Sequence, residues 1–225
     1  MDGNLVNSYI PFTLPLSIVC AGPTMSGKSS FIKELLKNRD VMFTEKIDRI
    51  MYVYDVWNLL YEDIEKNVPN ITFTNSIPSR EEVDLFAPEG GGQKLIIFDD
   101  QVSKMKKCKH FSDFFMILCN NRKLSCILTV QNIYSKEPGM RDISLNTRAL
   151  VLFKNMRSHD QILVLARQIH PQNTKYFLDA FEKATTVPHA YLVVDLNPCI
   201  DQRFHLRSNV LPSEEGPAVC YLPKN

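Results

Sequence analysis

The ten residues AGPTMSGKSS, at positions 21–30, decide the fold of this 225-residue chain. An apolar run, LSIVC, stops immediately before them, and four apolar residues at helical spacing follow them. The segment between concentrates small residues and includes two glycines. This order predicts a buried strand, a tight loop and a helix, with the loop backbone brought close to a ligand.

The segment from Gly22 to Ser29 matches G-x-x-x-x-G-K-[ST], the Walker A pattern. Glycine permits backbone conformations that other residues avoid, so successive N–H groups can point at phosphate oxygens. The helix that follows presents its free N–H groups to the same anion. Lys28 can reach the β- and γ-phosphates, and the Ser29 hydroxyl can ligate Mg²⁺. A strand–helix turn that binds nothing is the alternative, but the flanking strand and helix favour a triphosphate site. The predicted nucleotide-binding residues are Gly22, Pro23, Thr24, Met25, Ser26, Gly27, Lys28, Ser29 and Ser30.

Apolar runs alternate with amphipathic segments along the rest of the chain. Strands are predicted at 16–20, 49–55, 71–75, 94–100, 124–132, 149–153 and 190–196, and helices at 28–38, 111–118, 162–169 and 176–181. Most of the strands are apolar throughout, which indicates an α/β fold with a mostly parallel central sheet covered by helices on both faces. We predict a P-loop NTPase of the ASCE, RecA-like type. It forms a single ATPase domain over 1–225, with a core at about 15–197 and a mostly irregular tail at 198–225 that carries four prolines.

Two acidic residues end the strand predicted in KLIIFDD, and they match a Walker B motif. Ligands bind at the carboxyl ends of parallel strands, so this pair should lie beside the phosphate loop. Asp99 is predicted to hold Mg²⁺ through water, and Asp100 to orient or deprotonate the attacking water. Many such ATPases carry glutamate at the second position, and aspartate is one methylene shorter. A solvated pair of strand-end acids is the alternative interpretation.

Gln131 ends a further predicted strand beside these groups. An amide at that place can donate to and accept from both the water and the γ-phosphate, so Gln131 is predicted to sense hydrolysis. An ordinary strand-end amide is the alternative.

Composition excludes several classes of protein. Lys+Arg is 26 and Asp+Glu is 25, for a formal charge of +1, so this is no histone-like protein, and any grip on nucleic acid needs a local patch or an assembly. No run approaches the roughly 20 apolar residues of a membrane span, and the first residues lack a signal-peptide pattern.

The 6 cysteines include no C-x-x-C pair, which predicts a reducing compartment without a zinc site or disulfides. Cys20 and Cys126 fall in predicted strands, as buried apolar residues do.

With these motifs in order, the sequence resembles the FtsK/HerA superfamily of ring-forming DNA-pumping ATPases. Within it, the sequence is similar to the DNA-packaging ATPases of Polinton (Maverick) elements and adintovirus-like viruses. The resemblance runs from about residue 15 to 212 and rests on GPTMSGKSS, KLIIFDD, NNRKLSCILTVQNIYSK, RDISLNTRALVLFKNMRSHDQILVLARQIHP and AYLVVDLNP. The first of these is generic, whereas the strand ending in QN and the RDISLN and LFKN segments are much more specific. The NN at 120–121 departs from the His pair that relatives often carry, and it touches neither nucleotide motif.

The resemblance implies a homo-oligomeric ring that uses ATP and Mg²⁺ to package duplex DNA into a capsid. An arginine of one subunit would stabilise transition-state charge on its neighbour's nucleotide. Arg122 is favoured for this catalytic role, with Arg141, Arg148 and Arg157 as rivals. The implied partners are duplex DNA and capsid-vertex or other virion proteins, with no membrane. The implied location is intracellular, at the site of virion assembly in nucleus or cytoplasm, or in the virion itself. The lysine-rich SKMKKCKH at 103–110 could face DNA in the pore of the ring or form a solvated loop.

Other functions leave different marks in a sequence. A P-loop kinase of a nucleoside or nucleotide needs an acceptor pocket and an arginine-rich lid, and no lid-like run occurs. The run EGGGQ suggests a transporter ATPase, but Gln93 lies only a few positions before Asp99, whereas that signature lies well upstream of the aspartate strand in transporters. A GTPase would carry N-K-x-D, which is absent from the sequence. A nucleotide-binding assembly factor that does not hydrolyse ATP stays open.

Overall fold

The structure is a computed structural model, and it describes residues 9–101, 104, 123–134, 140–157 and 159–223. Three features of the sequence analysis lie outside these residues: the helix predicted at 111–118, the arginine at position 122, and the lysine-rich run apart from Lys104.

Strands and helices alternate along the described part of the chain. The strands are β1 (Ser17–Ala21), β2 (Ile47–Val53), β3 (Ile71–Thr74), β4 (Gln93–Phe98), β5 (Leu124–Val130), β6 (Ala149–Phe153), β7 (Tyr191–Asp195), β8 (Leu206–Ser208) and β9 (Val219–Cys220). The helices are α1 (Lys28–Lys37), α2 (Arg39–Met42), α3 (Leu59–Asn67), α4 (Arg80–Phe86), α5 (Met140–Asn146), α6 (His159–Ile169) and α7 (Thr174–Ala184), with a 3₁₀ turn at Gln202–Phe204. The predicted α/β class is confirmed.

The strands form one sheet in the order β3-β2-β4-β5-β1-β6-β7-β8-β9. All neighbours from β3 to β6 pair in parallel, and β7, β8 and β9 continue the sheet antiparallel. β5 therefore lies between β1, which precedes the phosphate loop, and β4, which precedes the two aspartates. The three strands run the same way, so the polar residues that follow them meet at one edge of the sheet.

Helices cover both faces of this sheet, as the apolar strands predicted. Alternate residues of β1 point to opposite faces: Ile18 and Cys20 pack against α1, α2 and α3, whereas Val19 and Ala21 join the core formed with α4, α5, α6 and α7. Cys20 and Cys126 are buried in β1 and β5, as predicted. In the part of the chain described above, no helix is both long and apolar enough to cross a membrane.

The glycine run before β4 has a packing role at the other end of the strand. A Cβ on Gly92 would overlap Oδ2 of Asp48, and that oxygen lies 3.3 Å from Nζ of Lys94. β4 has six residues at about 3.3 Å each, so this run lies roughly 20 Å from the aspartate end. Gly92 therefore permits a close approach between β2 and β4 and contributes nothing to a nucleotide site in the same chain.

The tail adds more regular structure than the sequence predicted, because β8 and β9 extend the sheet beyond β7. The Arg207 guanidinium, 1% exposed, donates to Oδ2 of Asp195 at 2.6 Å and to the carbonyl of Ile10 at 3.0 Å. The tail is thus fastened to β7 and to the start of the described chain. The predicted division into a core and a mostly irregular tail stays a prediction.

Replacing Arg207 with methionine should lower the free energy of unfolding by about 3–5 kcal/mol, because Asp195 would be left buried without its cation. Urea denaturation followed by circular dichroism measures the change. Arg203→Met is the matched control, since Arg203 pairs with Asp201 at 2.7 Å on the surface, where its side chain is 68% exposed. Screening by solvent makes that pair weak, so the control should unfold at the wild-type urea concentration. Equal effects of the two changes would contradict a structural role for the buried pair.

Candidate nucleotide-binding site

The loop between β1 and α1 requires glycine at both of its ends. The Gly22 N–H donates to the carbonyl of Val130 at 3.1 Å, which ties the loop to β5. A Cβ on Gly22 would lie 2.6 Å from Cβ of Phe153, closer than packed carbon atoms come. Gly27 precedes α1 with φ of 106°, a left-handed conformation that side chains disfavour. The two glycines of the sequence motif are therefore fixed by packing and by backbone geometry respectively.

Two residues inside the loop are held in unusual states. Met25 has φ of 64° and is 88% exposed. Ser26 Oγ is buried and has no hydrogen-bond partner within the described part of the chain. Buried polar atoms are rarely left unpaired, so this hydroxyl is available to donate to a ligand oxygen.

Lys28 folds back over the loop. Its Nζ donates to the carbonyls of Gly22 at 2.7 Å and Pro23 at 2.8 Å. Burial lowers the pKa of Lys28, and the nearby negative charges of Asp99 and Asp100 partly offset that change. The structure therefore brings the lysine and both aspartates together at the carboxyl edge of the sheet, as the sequence predicted.

Asp99 lies directly after β4, is 2% exposed, and accepts hydrogen bonds from three hydroxyl groups. Thr129 donates to Oδ1 at 2.9 Å, while Tyr52 and Tyr61 donate to Oδ2 at 2.7 and 3.1 Å. The two tyrosines occupy both acceptor positions of Oδ2, so the remaining acceptor position of the carboxylate is on Oδ1. The orientation of Asp99 is thus set by β2, α3 and β5 together.

The two tyrosines were missed in the sequence. Burial and the charge of Asp99 raise the pKa of Tyr52 and of Tyr61, so both hydroxyls stay protonated and act as donors. Tyr52 is on β2, which pairs directly with β4, and its polar atom lies near the strand's carboxyl end. A tyrosine near the carboxyl end of the strand predicted at 49–55 could therefore have indicated a hydroxyl group close to Asp99. Tyr61 needs α3, which the sequence analysis did not predict.

Asp100 follows a sharp turn of the chain. Its φ is 53°, uncommon for a residue other than glycine, and its N–H donates to Thr129 Oγ1 at 2.8 Å. Asp100 itself is exposed at the sheet edge, whereas the next residue, Gln101, is buried and donates to the carbonyl of Asp99 at 3.0 Å. One hydroxyl, that of Thr129, therefore holds both aspartates.

Gln131 is exposed immediately after β5, and it lines the same shallow depression as Ala21 and Gly22. The depression also includes Asn132 and Asn155, whose amides are 3.4 Å apart. The amide predicted to sense hydrolysis therefore lies next to the phosphate loop.

The candidate arginines differ in their positions. Arg148 precedes β6 and donates to the carbonyl of Pro15 at 2.7 Å, at the amino end of the sheet and away from the phosphate loop. Arg157 follows β6 at the carboxyl end and is exposed, and Arg141 is exposed on α5. The favoured residue, Arg122, lies outside the described residues.

The Thr129→Val change should lower the free energy of unfolding by about 1–3 kcal/mol. It preserves the shape of the side chain but leaves Asp99 Oδ1 and the Asp100 N–H without their shared partner. Urea denaturation measures the loss, with Thr13→Val as the control because Thr13 is exposed. Wild-type stability in Thr129→Val would contradict the role of this hydroxyl in holding the two acids.

Comparison with known proteins bears on the fold. A scan against protein-family models and a search of curated proteins gave no match. Among solved structures, the cytoplasmic domain of the Thermomonospora curvata type VII secretion ATPase EccC is similar at a TM-score of 0.50 and 13% identity, over 91% of this chain and 25% of that chain. The genome packaging NTPase B204 of Sulfolobus turreted icosahedral virus 2, in complex with ATP-gammaS, gives a TM-score of 0.45 and 14% identity over 92% of this chain and 97% of that one. EccC ATPases 2 and 3 of Thermomonospora curvata, in complex with a signal sequence peptide, give a TM-score of 0.42 and 11% identity over 61% of this chain and 30% of that one.

At these identities the likeness concerns the fold. The narrower similarity to Polinton and adintovirus-like ATPases stays a prediction. This chain has the mixed α/β fold of the P-loop NTPases, built on a mostly parallel sheet flanked by helices.

Proposed function

We propose that this protein is an ATPase that moves duplex DNA, and that it packages viral or transposon genomes into a capsid. One observation carries the nucleotide part: the phosphate loop, Lys28 and the two aspartates meet at the carboxyl edge of one parallel sheet. The DNA part rests on the sequence resemblance, chiefly the strand ending in QN and the segments after it.

A triphosphate would bind where α1 begins. The loop N–H groups and the helix N-terminus favour an anion there. Ser26 Oγ has a proton to donate, and Lys28 can exchange its two loop carbonyls for phosphate oxygens, which are stronger acceptors. The charge of Lys28 then compensates the charge of the phosphates.

The same edge offers the oxygen ligands that Mg²⁺ prefers. Ser29 supplies a hydroxyl at the first turn of α1, and Asp99 keeps an acceptor position on Oδ1 while three hydroxyls hold its carboxylate. These residues fit the ion, and they are the ones that would hold it. When bound, Mg²⁺ neutralises charge on the β- and γ-phosphates.

Three residues would have separate roles in hydrolysis. Asp100, exposed beside Lys28, would orient the attacking water and accept its proton. Gln131, next to the loop, would contact that water and the γ-phosphate. Arg122 of a neighbouring subunit in a homo-oligomeric ring would stabilise the transition state. A ring also multiplies the small charge of a single chain, which supports its grip on DNA.

The implied partners follow from packaging: duplex DNA, capsid-vertex or other virion proteins, and further copies of this chain. The protein would act inside the host cell where virions assemble, or in the virion. A nucleotide-binding assembly factor without turnover is the second candidate, because Asp100 is shorter than the glutamate that many such ATPases carry. A nucleoside or nucleotide kinase is the third candidate. Its activity would appear only in an assay that supplies a nucleoside or nucleotide as phosphate acceptor.

We expect Lys28→Ala to weaken ATP binding by about a hundredfold or more, because charge-assisted contacts to two phosphates are lost. Equilibrium titration with a fluorescent ATP analogue measures the affinity, and circular dichroism checks that the fold is retained. Lys33→Ala is the matched control, since Lys33 is on the same helix and lies 3.4 Å from Asp63, away from the loop. Wild-type affinity in Lys28→Ala would remove the phosphate site from the proposal.

The motor function requires that duplex DNA raise the steady-state ATPase rate severalfold. Asp100→Asn should bind ATP with wild-type affinity and lose turnover by about a hundredfold or more, as expected when a general base is removed. Asp40→Asn, at an exposed position on α2, serves as the control and should be fully active. An ATPase indifferent to DNA would contradict the motor. Absence of turnover in the wild type would favour the assembly factor, and turnover in Asp100→Asn would place the catalytic base elsewhere.

A further inference from the structure

We propose that the cavity between the start of α1 and the C-terminal tail binds the ribose and base of the nucleotide, and that Glu214 selects adenine. The proposal rests on the proposed function, because it extends the same phosphate site. The cavity has a volume of about 560 Å³, and the phosphate-loop residues Gly27, Lys28 and Ser29 form part of its wall. Its size lies within the range of small-molecule sites, about 300–1,000 Å³.

The cavity is continuous with the phosphate site. A ligand whose phosphates lie against the loop and the first turn of α1 must extend from there, and this cavity opens directly from those residues. Its far side is formed by β7 and by the tail, through Tyr191, Leu211 and Glu214. The tail, predicted to be mostly irregular, is therefore part of the wall.

The walls suit a flat apolar ring. Phe31 and Tyr191 are buried and pack edge to face, with ring centroids 4.8 Å apart, so both are fixed in place. Leu211 adds an apolar contact from the tail. At the mouth, His189 lies against the phosphate loop: its Cβ would be 3.3 Å from a Cβ on Gly27. An exposed imidazole at that place can stack on a base.

Glu214 gives the cavity a specific polar group. Its Oε2 accepts from the Tyr191 hydroxyl at 2.9 Å and from the Leu211 N–H at 2.8 Å. Burial raises the pKa of Glu214, and these two hydrogen bonds partly offset that change. The carboxylate is therefore held in one orientation, with Oε1 left as the acceptor for a ligand.

A single acceptor oxygen distinguishes between bases. Adenine presents one exocyclic amino group, which one oxygen can accept. Guanine presents two neighbouring donors, but Oε2 is already occupied by Tyr191 and Leu211, so Oε1 can accept from only one of them and the other is left without an acceptor. The arrangement therefore favours ATP over GTP.

The test compares the affinities of the full-length chain for ATP, GTP and inorganic tripolyphosphate, each with Mg²⁺. We expect ATP to bind at least about tenfold more tightly than tripolyphosphate, which has no base to contact Glu214, and more tightly than GTP, whose base leaves one donor unpaired. Tripolyphosphate reports on the phosphate loop alone.

Glu214→Gln is the decisive variant. Two donors already face the Oε2 position, so the amide must place its oxygen there and its NH₂ group where Oε1 was. An acceptor for the base becomes a donor while the contacts to the tail persist. ATP affinity should fall about tenfold and tripolyphosphate affinity should stay unchanged. Glu215→Gln, at the adjacent exposed position, is the matched control and should change neither.

A second variant tests the stacking wall without touching Glu214. His189 has φ of 64°, which asparagine tolerates well, so His189→Asn removes the ring and keeps the backbone. It should weaken ATP binding severalfold and leave tripolyphosphate binding unchanged.

Three results would overturn the proposal. Equal affinities of the wild type for ATP and tripolyphosphate would show that no nucleoside occupies the cavity. An equal loss of both ligands in Glu214→Gln would assign Glu214 to the fold, and unchanged ATP affinity in that variant would remove its role in selection. In each case the phosphate site stands. If instead neither ligand binds and Lys28→Ala changes nothing, the proposed function itself fails.

Discussion

A carboxylate buried inside a protein must be surrounded by hydrogen-bond donors, and Asp99 obtains three of them from three different elements of the fold. Tyr52 on β2, Tyr61 on α3 and Thr129 on β5 all direct a hydroxyl at its two oxygens. Without them the desolvation of the anion would oppose folding by several kcal/mol. The hydroxyls therefore do two things at once: they make a buried acid tolerable, and they fix the direction in which its remaining acceptor position points. The geometry of the candidate site thus depends on the packing of the sheet rather than on the phosphate loop alone.

Features that depend on residues close together in the chain could be predicted from the sequence, whereas contacts between residues far apart in the chain could not. The phosphate loop, β1 and α1 were predictable because their pattern is contiguous, and the apolar strands because burial on both faces makes them apolar throughout. The hydroxyls on Asp99 come from residues 30, 38 and 47 positions away, so no local pattern marks them. α4 is a different case, since its capping box, Ser79 with Glu82, is visible in the sequence and was overlooked. The strands of the tail are two or three residues long, and they form by pairing with distant neighbours, β8 with β7 and β9 with β8, which no sequence period could reveal.

Glycine illustrates how one residue type answers to different constraints. Gly22 is needed because Phe153 occupies the space of a side chain, and Gly27 because of its left-handed backbone. Gly92 is needed because Asp48 approaches from β2, at the opposite end of β4 from the aspartates. The phosphate-loop pair has consequences for ligand binding, whereas Gly92 bears on sheet packing. The run EGGGQ, although it resembles a transporter signature, therefore does not belong to the nucleotide site of the same chain.

The sheet order has a consequence for how the chain acquires its structure. β1 is synthesised first but lies in the middle of the sheet, and its partner β5 is more than a hundred residues away, as the hydrogen bond from the Leu16 N–H to Ser125 Oγ shows. β1 therefore leaves the ribosome as an apolar segment whose hydrogen-bonding edges have no partners until β5, more than a hundred residues later, has been made. Such non-local pairing slows folding and prolongs the exposure of strand edges. During synthesis, the segment that carries the phosphate loop is thus the one that depends longest on protection from aggregation.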